Sequence, residues 1–210
     1  MKIIINKKIG LLTIICLISA LMTFTNCSFA HAQNTVPQKQ VVNVNVQAQK
    51  ILSDIDKYQE QYFTIVKRND VLLKYDSDKD LNKDRKELDK LYKKVQKRAK
   101  NKAYLKKYKD IEKRYAECNE MTTVGINEFS GNYYKEVDAL LNEVYKEVQS
   151  TIPPEDFKKL ALSEQKWINT VDNYKKTFDS MEFGSIGTVI YFDYQTNMAQ
   201  FRTLLLMLYL

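Results

Sequence analysis

Apolar positions recur at helical spacing along most of this chain. Between Pro37 and Gly125 there is neither proline nor glycine, a stretch far too long for strands without turn signals. From residue 48 to residue 75, Ile51, Ile55, Tyr58, Tyr62, Ile65 and Leu72 fall on one face of a predicted helix. Asp76, Ser77 and Asp78 mark a break and supply capping side chains. Leu81, Leu88, Leu91 and Val95 continue the pattern, which weakens at residues 100–102 and resumes as Tyr104, Tyr108, Ile111, Tyr115 and Cys118. That last set is spaced 4-3-4-3, as a packed seam requires. Two such segments joined by a short turn predict an antiparallel helical hairpin over 48–116.

The rest of the chain predicts a small helical bundle. Residues 133–149 place Val137, Leu141, Val144 and Val148 inward. Pro153 and Pro154 open another helix, because proline is tolerated in a first turn. Its stripe is Phe157, Leu160, Glu164, Trp167, Val171, Tyr174 and Phe178, with Glu164 the one polar member. Residues 183–187 read as a turn, and 188–210 as a closing helix whose last seven residues are very apolar. Seven are too few to span a bilayer, so core packing is expected. Residues 33–47 show no stripe and are expected to form a flexible N-terminal arm. The fold class is therefore all-α, a hairpin at 48–116 followed by a bundle domain at 117–210.

The first 32 residues change the chemistry. Lys2, Lys7 and Lys8 precede an apolar run over 9–24, and Ala30 and Ala32 sit at the −3 and −1 positions of a cleavage site. This predicts a secretory signal removed before Gln33. A retained anchor and lipid attachment at Cys27 are the alternatives, disfavoured by the short run and by Asn26. Cleavage removes the only histidine, His31, together with Cys16 and Cys27, leaving Cys118 as the sole thiol. Ser-His-Asp and Cys-His catalysis and the usual zinc sites then have no ligands, and no cofactor motif is present. Cys118 has no intramolecular partner; it reads as a small buried hydrophobe, with a dimer-forming thiol as the alternative.

Charge is unevenly distributed. The formal net charge is +7. Residues 83–115 carry fifteen basic and five acidic side chains, and residues 117–165 carry four and ten. The basic block, with Lys93, Lys97 and Lys106 as representatives, fits an anionic envelope surface or an acidic partner. Nucleic acid is not expected at an exported address. The plainer reading is the solvated face of a helix whose tyrosines are core. The acidic block offers Glu128, Glu136 and Glu143 to a basic partner. Residues 76–87 carry oxygen ligands at calcium-loop spacing, but Leu81 stands where glycine is required and no metal site is assigned. Glu136 and Glu164 can be nominated as a glycosidase-type pair, yet no spacing singles them out and an enzyme is not expected.

Four motifs in the second half carry a resemblance. Asp138, Leu141, Asn142 and Tyr145 form a D-x-x-L-N-x-x-Y helix. Gln165, Trp167 and Ile168 follow, with Asp172 five residues beyond the Trp. Gly184 and Ser185 form a turn, and Arg202 and Thr203 open a closing R-T-x-x-L segment. In order and spacing this resembles the LprI-like lysozyme-inhibitor family of exported bacterial proteins, over about residues 117–210. The resemblance implies an exported helical domain, with a lysozyme-like hydrolase as the protein partner. The motif residues themselves are expected to determine the fold. This chain departs from the pattern by lacking the family's disulfides, by Val171 where arginine is common, and by Phe183 in place of a glycine. An envelope-associated adhesion module using the basic hairpin is the alternative function.

Overall fold

The computed structural model describes residues 38–72, 78–120, 122–179 and 187–210. The proposed signal segment, the family-motif turn at Gly184 and Ser185, and residues 76 and 77 lie outside the described residues. Six helices follow in order: α1 Gln38–Leu72, α2 Asp78–Arg98, α3 Lys102–Arg114, α4 Thr123–Thr151, α5 Pro154–Asp179 and α6 Gly187–Leu206. No strand occurs among the described residues. The all-helical expectation holds.

Side-chain contacts fix the helix directions. Arg98 reaches back to Asp54 and Arg68 to Glu87, so α2 runs antiparallel to α1. Lys107 pairs with Glu143 and Arg114 with Glu136, so α3 runs antiparallel to α4. Tyr174 meets Tyr194 and Glu164 pairs with Arg202, so α6 runs antiparallel to α5, and it lies against α4, where Gly131 faces Phe192 and Gln200 meets Tyr133. The α4–α6 contact is the most extensive in the molecule.

Three boundaries differ from the sequence expectation. Helix α1 begins at Gln38, inside the segment expected to be an arm. The second limb of the expected hairpin is two helices, because the chain turns at residues 99–101. There the Asn101 side chain accepts bonds from the Ala103 and Tyr104 amides and starts α3, a standard N-cap arrangement. Helix α3 then leaves α1 and lies on α4. Finally, α3 ends at Arg114, so half-buried Cys118 lies past the helix rather than on its seam.

From Tyr194 on, helix α6 is buried all round: every residue from 194 to 208 is buried. Such a helix belongs at the centre of a fold, and the apolar closing run packs into the core as expected. Several of its polar side chains bond locally or to neighbours. Thr196, Asn197 and Thr203 donate to carbonyls one turn back, and Gln200 donates to the Tyr133 hydroxyl at 2.7 Å. The core is shared between both halves of the chain. Tyr62 of α1 stacks on Phe201 with ring centroids 4.4 Å apart, and Tyr92 of α2 donates to the Asn197 carbonyl at 2.7 Å. No described helix is long and apolar enough to cross a membrane.

Candidate functional site

The two charge blocks of the sequence meet on α3 and α4. Both helices present charged residues at i, i+7 spacing toward each other, and antiparallel packing aligns them. Lys107 bonds Glu143, Arg114 bonds Glu136, and the Tyr115 hydroxyl donates to the second Glu136 oxygen at 2.8 Å. Partial burial pushes the Glu136 carboxyl up, but the bonds from Arg114 and Tyr115 outweigh it and hold the carboxyl below its ordinary range. Burial, reinforced by the bond to Glu136, pushes the Tyr115 hydroxyl to about 12. A shallow groove along this seam is lined by Asp110, Ile111, Ala139 and Leu140 between the ion pairs.

Most of the acidity of residues 117–165 is therefore already engaged within the molecule. Glu155 pairs with Lys158, Asp156 is buried beside Lys159, and Glu164 is buried. Of Glu128, Glu136 and Glu143, only Glu128 stands exposed without an ion-pair partner among the described residues; Glu147, four residues beyond Glu143, stands the same way. Lys93, Lys97 and Lys106 are all exposed, the first two on α2 and the third on α3. The calcium-loop reading fails on geometry. Residues 78–98 are continuous helix, and Arg68 holds Asp84 at 2.9 Å and Glu87 at 2.5 Å.

Under this surface lies a buried ionic hub. Arg202 is fully buried. Its Nε and Nη2 donate to Glu164 Oε2 at 2.8 and 2.5 Å, and its Nη1 donates to Gln59 Oε1 at 2.9 Å. The guanidinium also sits 5.5 Å from the Trp167 ring, a cation–π contact in a desolvated setting. Trp167 is 1% exposed, as its stripe predicts, and packs on Phe63 with centroids 4.8 Å apart. Glu164 thus serves Arg202 rather than a catalytic partner. Glu136, the other nominated carboxylate, is engaged by Arg114 and Tyr115.

The remaining motif residues occupy ordinary places in the helices. Asn142 donates to the Asp138 carbonyl at 2.8 Å and to its carboxylate at 3.1 Å, joining the two polar members of the motif within α4. Leu141 is buried, and the Tyr145 ring packs at a tilt against Phe157. Gln165 is exposed and donates to Asn169 Oδ1 rather than to a helix crossing. Asp172 is half-buried on α5. Sequence reading singled out Glu164 and Arg202 separately and missed that they pair, and it missed Gln59 altogether. The available signal was two opposite charges, each alone in an apolar stretch.

These features define an all-helical protein whose surface is ionic, whose fully buried Arg202 is neutralised internally by Glu164, and which offers partners a helical exterior. Residues 114–206 match the family model described as lysozyme inhibitor LprI. The matched stretch covers α4, α5, α6 and the last residue of α3. Gln59 and Tyr62, which complete the Arg202 hub and stack on Phe201, come from α1, outside the match. No curated protein and no solved structure matches the chain.

Proposed function

We propose that this protein is an exported inhibitor that binds a lysozyme-type cell-wall hydrolase and blocks it sterically. The observation that carries this reading is the match of residues 114–206 to the lysozyme-inhibitor family. The signal pattern of residues 1–32 supports export. Exposed, unpaired Glu128 and Glu147 on α4 support contact with a basic hydrolase, since opposite charge at a rim speeds encounter. Glu136 and Glu143 act differently in this reading: they hold α3 in place and touch the partner only if their internal pairs open.

The deciding experiment titrates the purified protein, without residues 1–32, into an animal-type lysozyme clearing a suspension of bacterial cell walls. Clearing should fall stoichiometrically. The double variant Glu128→Lys, Glu147→Lys should associate more slowly, with the difference shrinking as salt rises. Undiminished clearing at a large molar excess of the protein would overturn the proposal.

A further inference from the structure

Helix α2 carries a feature that hydrolase inhibition does not use. Lys83, Lys86, Lys90, Lys93, Lys97 and Lys100 recur at 3-4-3-4-3 spacing, the first five within the helix and the last just past its end. All six are exposed, and none has an ion-pair partner among the described residues. They occupy the side of α2 opposite its buried stripe of Leu88, Leu91 and Val95. The row is about 25 Å long at the rise of an α-helix, with a positive charge about once per turn. Like charges at i, i+3 and i, i+4 destabilise a helix, and a plainly solvated face normally interleaves signs. The neutralising acids of α2 are directed elsewhere, for Asp84 and Glu87 both serve Arg68 of α1. Asp89 stands at the edge of the row, and Glu60 and the Arg68-bound Glu87 line the α1–α2 groove with Lys90 and Lys94.

We infer that this lysine row is a docking surface for a linear phosphodiester polymer without bases, of the poly(glycerol phosphate) type. Lysine ammonium groups engage phosphates as point charges without demanding a fixed fork geometry, which suits a flexible chain laid along a straight rod. The face lacks the Trp, Phe or Leu residues that seat an interfacial helix in lipid. It also lacks a stacking platform for bases, because Tyr92 is turned inward onto the Asn197 carbonyl. It has no aromatic or arginine anchor of the kind that dominates protein interfaces.

The test measures anisotropy of a labelled poly(glycerol phosphate) chain with the protein at about 50 and about 200 mM salt. Affinity should fall on the order of a hundredfold between the two, as expected for roughly five phosphate contacts on a single strand. Replacing Lys83, Lys86, Lys90, Lys93 and Lys97 together by Gln should cost at least tenfold at the lower salt. The same five positions changed to Arg should retain binding. Changing Lys135, Lys146 and Lys166 to Gln should alter it less than twofold. Absence of saturable binding, or equal losses in the row and control variants, would overturn the inference. So would tighter binding to phosphatidylglycerol vesicles or to oligothymidylate at equal phosphate, which would move the ligand to a membrane or a nucleic acid.

Discussion

Arg202 of α6 gathers contacts from two other helices. It is held by Glu164 of α5 and Gln59 of α1 and lies near the only tryptophan of the chain. Removing one member of such a buried pair strands the other charge in a dry interior, at a cost of about 3–5 kcal/mol. Arg202→Met should therefore lower unfolding stability by about that amount in a denaturant titration followed by Trp167 fluorescence. The double variant Arg202→Met, Glu164→Leu should recover most of the loss, because no charge remains to be stranded. A double variant no better than the single one would show that packing, not charge, holds the site. Asp193 presents the opposite case. Burial alone raises its carboxyl to about 7 from 3.8, so the protonated form is favoured in the fold. The associated stability is complete below the unfolded value and is lost as pH rises through about 7. Asp193→Asn, which keeps the neutral form, should leave stability near pH 4 unchanged and raise it by roughly 1–3 kcal/mol above pH 7. Equal effects at both pH values would contradict this.

At the scale of elements, the α4–α6 contact depends on a small residue at the crossing. Gly131 is buried, and a Cβ built there would meet the Phe192 ring at 3.4 Å, an ordinary contact with little to spare. Glycine inside a helix costs about 0.5–1 kcal/mol relative to alanine. Gly131→Ala should therefore be neutral or mildly stabilising, whereas Gly131→Leu should destabilise by about 1–3 kcal/mol through overpacking. Thermal melts of the two variants distinguish the signs. The periodicity of Tyr104, Tyr108 and Ile111 made α3 legible as a helix, but not its partner. An apolar stripe states that a face is buried without stating against what. The break at 100–102 was visible as three polar residues, and only the Asn101 cap and the turn it starts carried α3 across to α4. The start of α1 was missed because β-branched and polar residues in 33–47 set no stripe.

For the whole molecule, part of the segregated charge is engaged internally. The basic and acidic blocks are adjacent in sequence, and their helices are antiparallel neighbours, so Lys107 and Arg114 find Glu143 and Glu136. Reversing Glu136 and Glu143 to Lys should lower the melting temperature at low salt, and the deficit should shrink in high salt as the exposed charges are screened. A deficit that does not respond to salt would point to packing instead. This bears on function, since any loss of hydrolase binding in that variant has to be read beside its stability, whereas Glu128 and Glu147 can be changed without disturbing a pair.

The sequence by itself determined the helical class, the inward faces of α4 and α5, the burial of Trp167 and the family resemblance of the second half. Each rests on local periodicity or on residue order, which neighbours along one chain suffice to express. Tertiary structure alone decided that Glu164 belongs to Arg202, that Gln59 completes the hub from outside the matched stretch, and that Glu136 and Glu143 are engaged while Glu128 has no ion-pair partner among the described residues. Those are matters of which faces meet. Pairing energy depends on distance between side chains far apart in sequence and on their removal from water, and neither quantity is written in a period of 3.6.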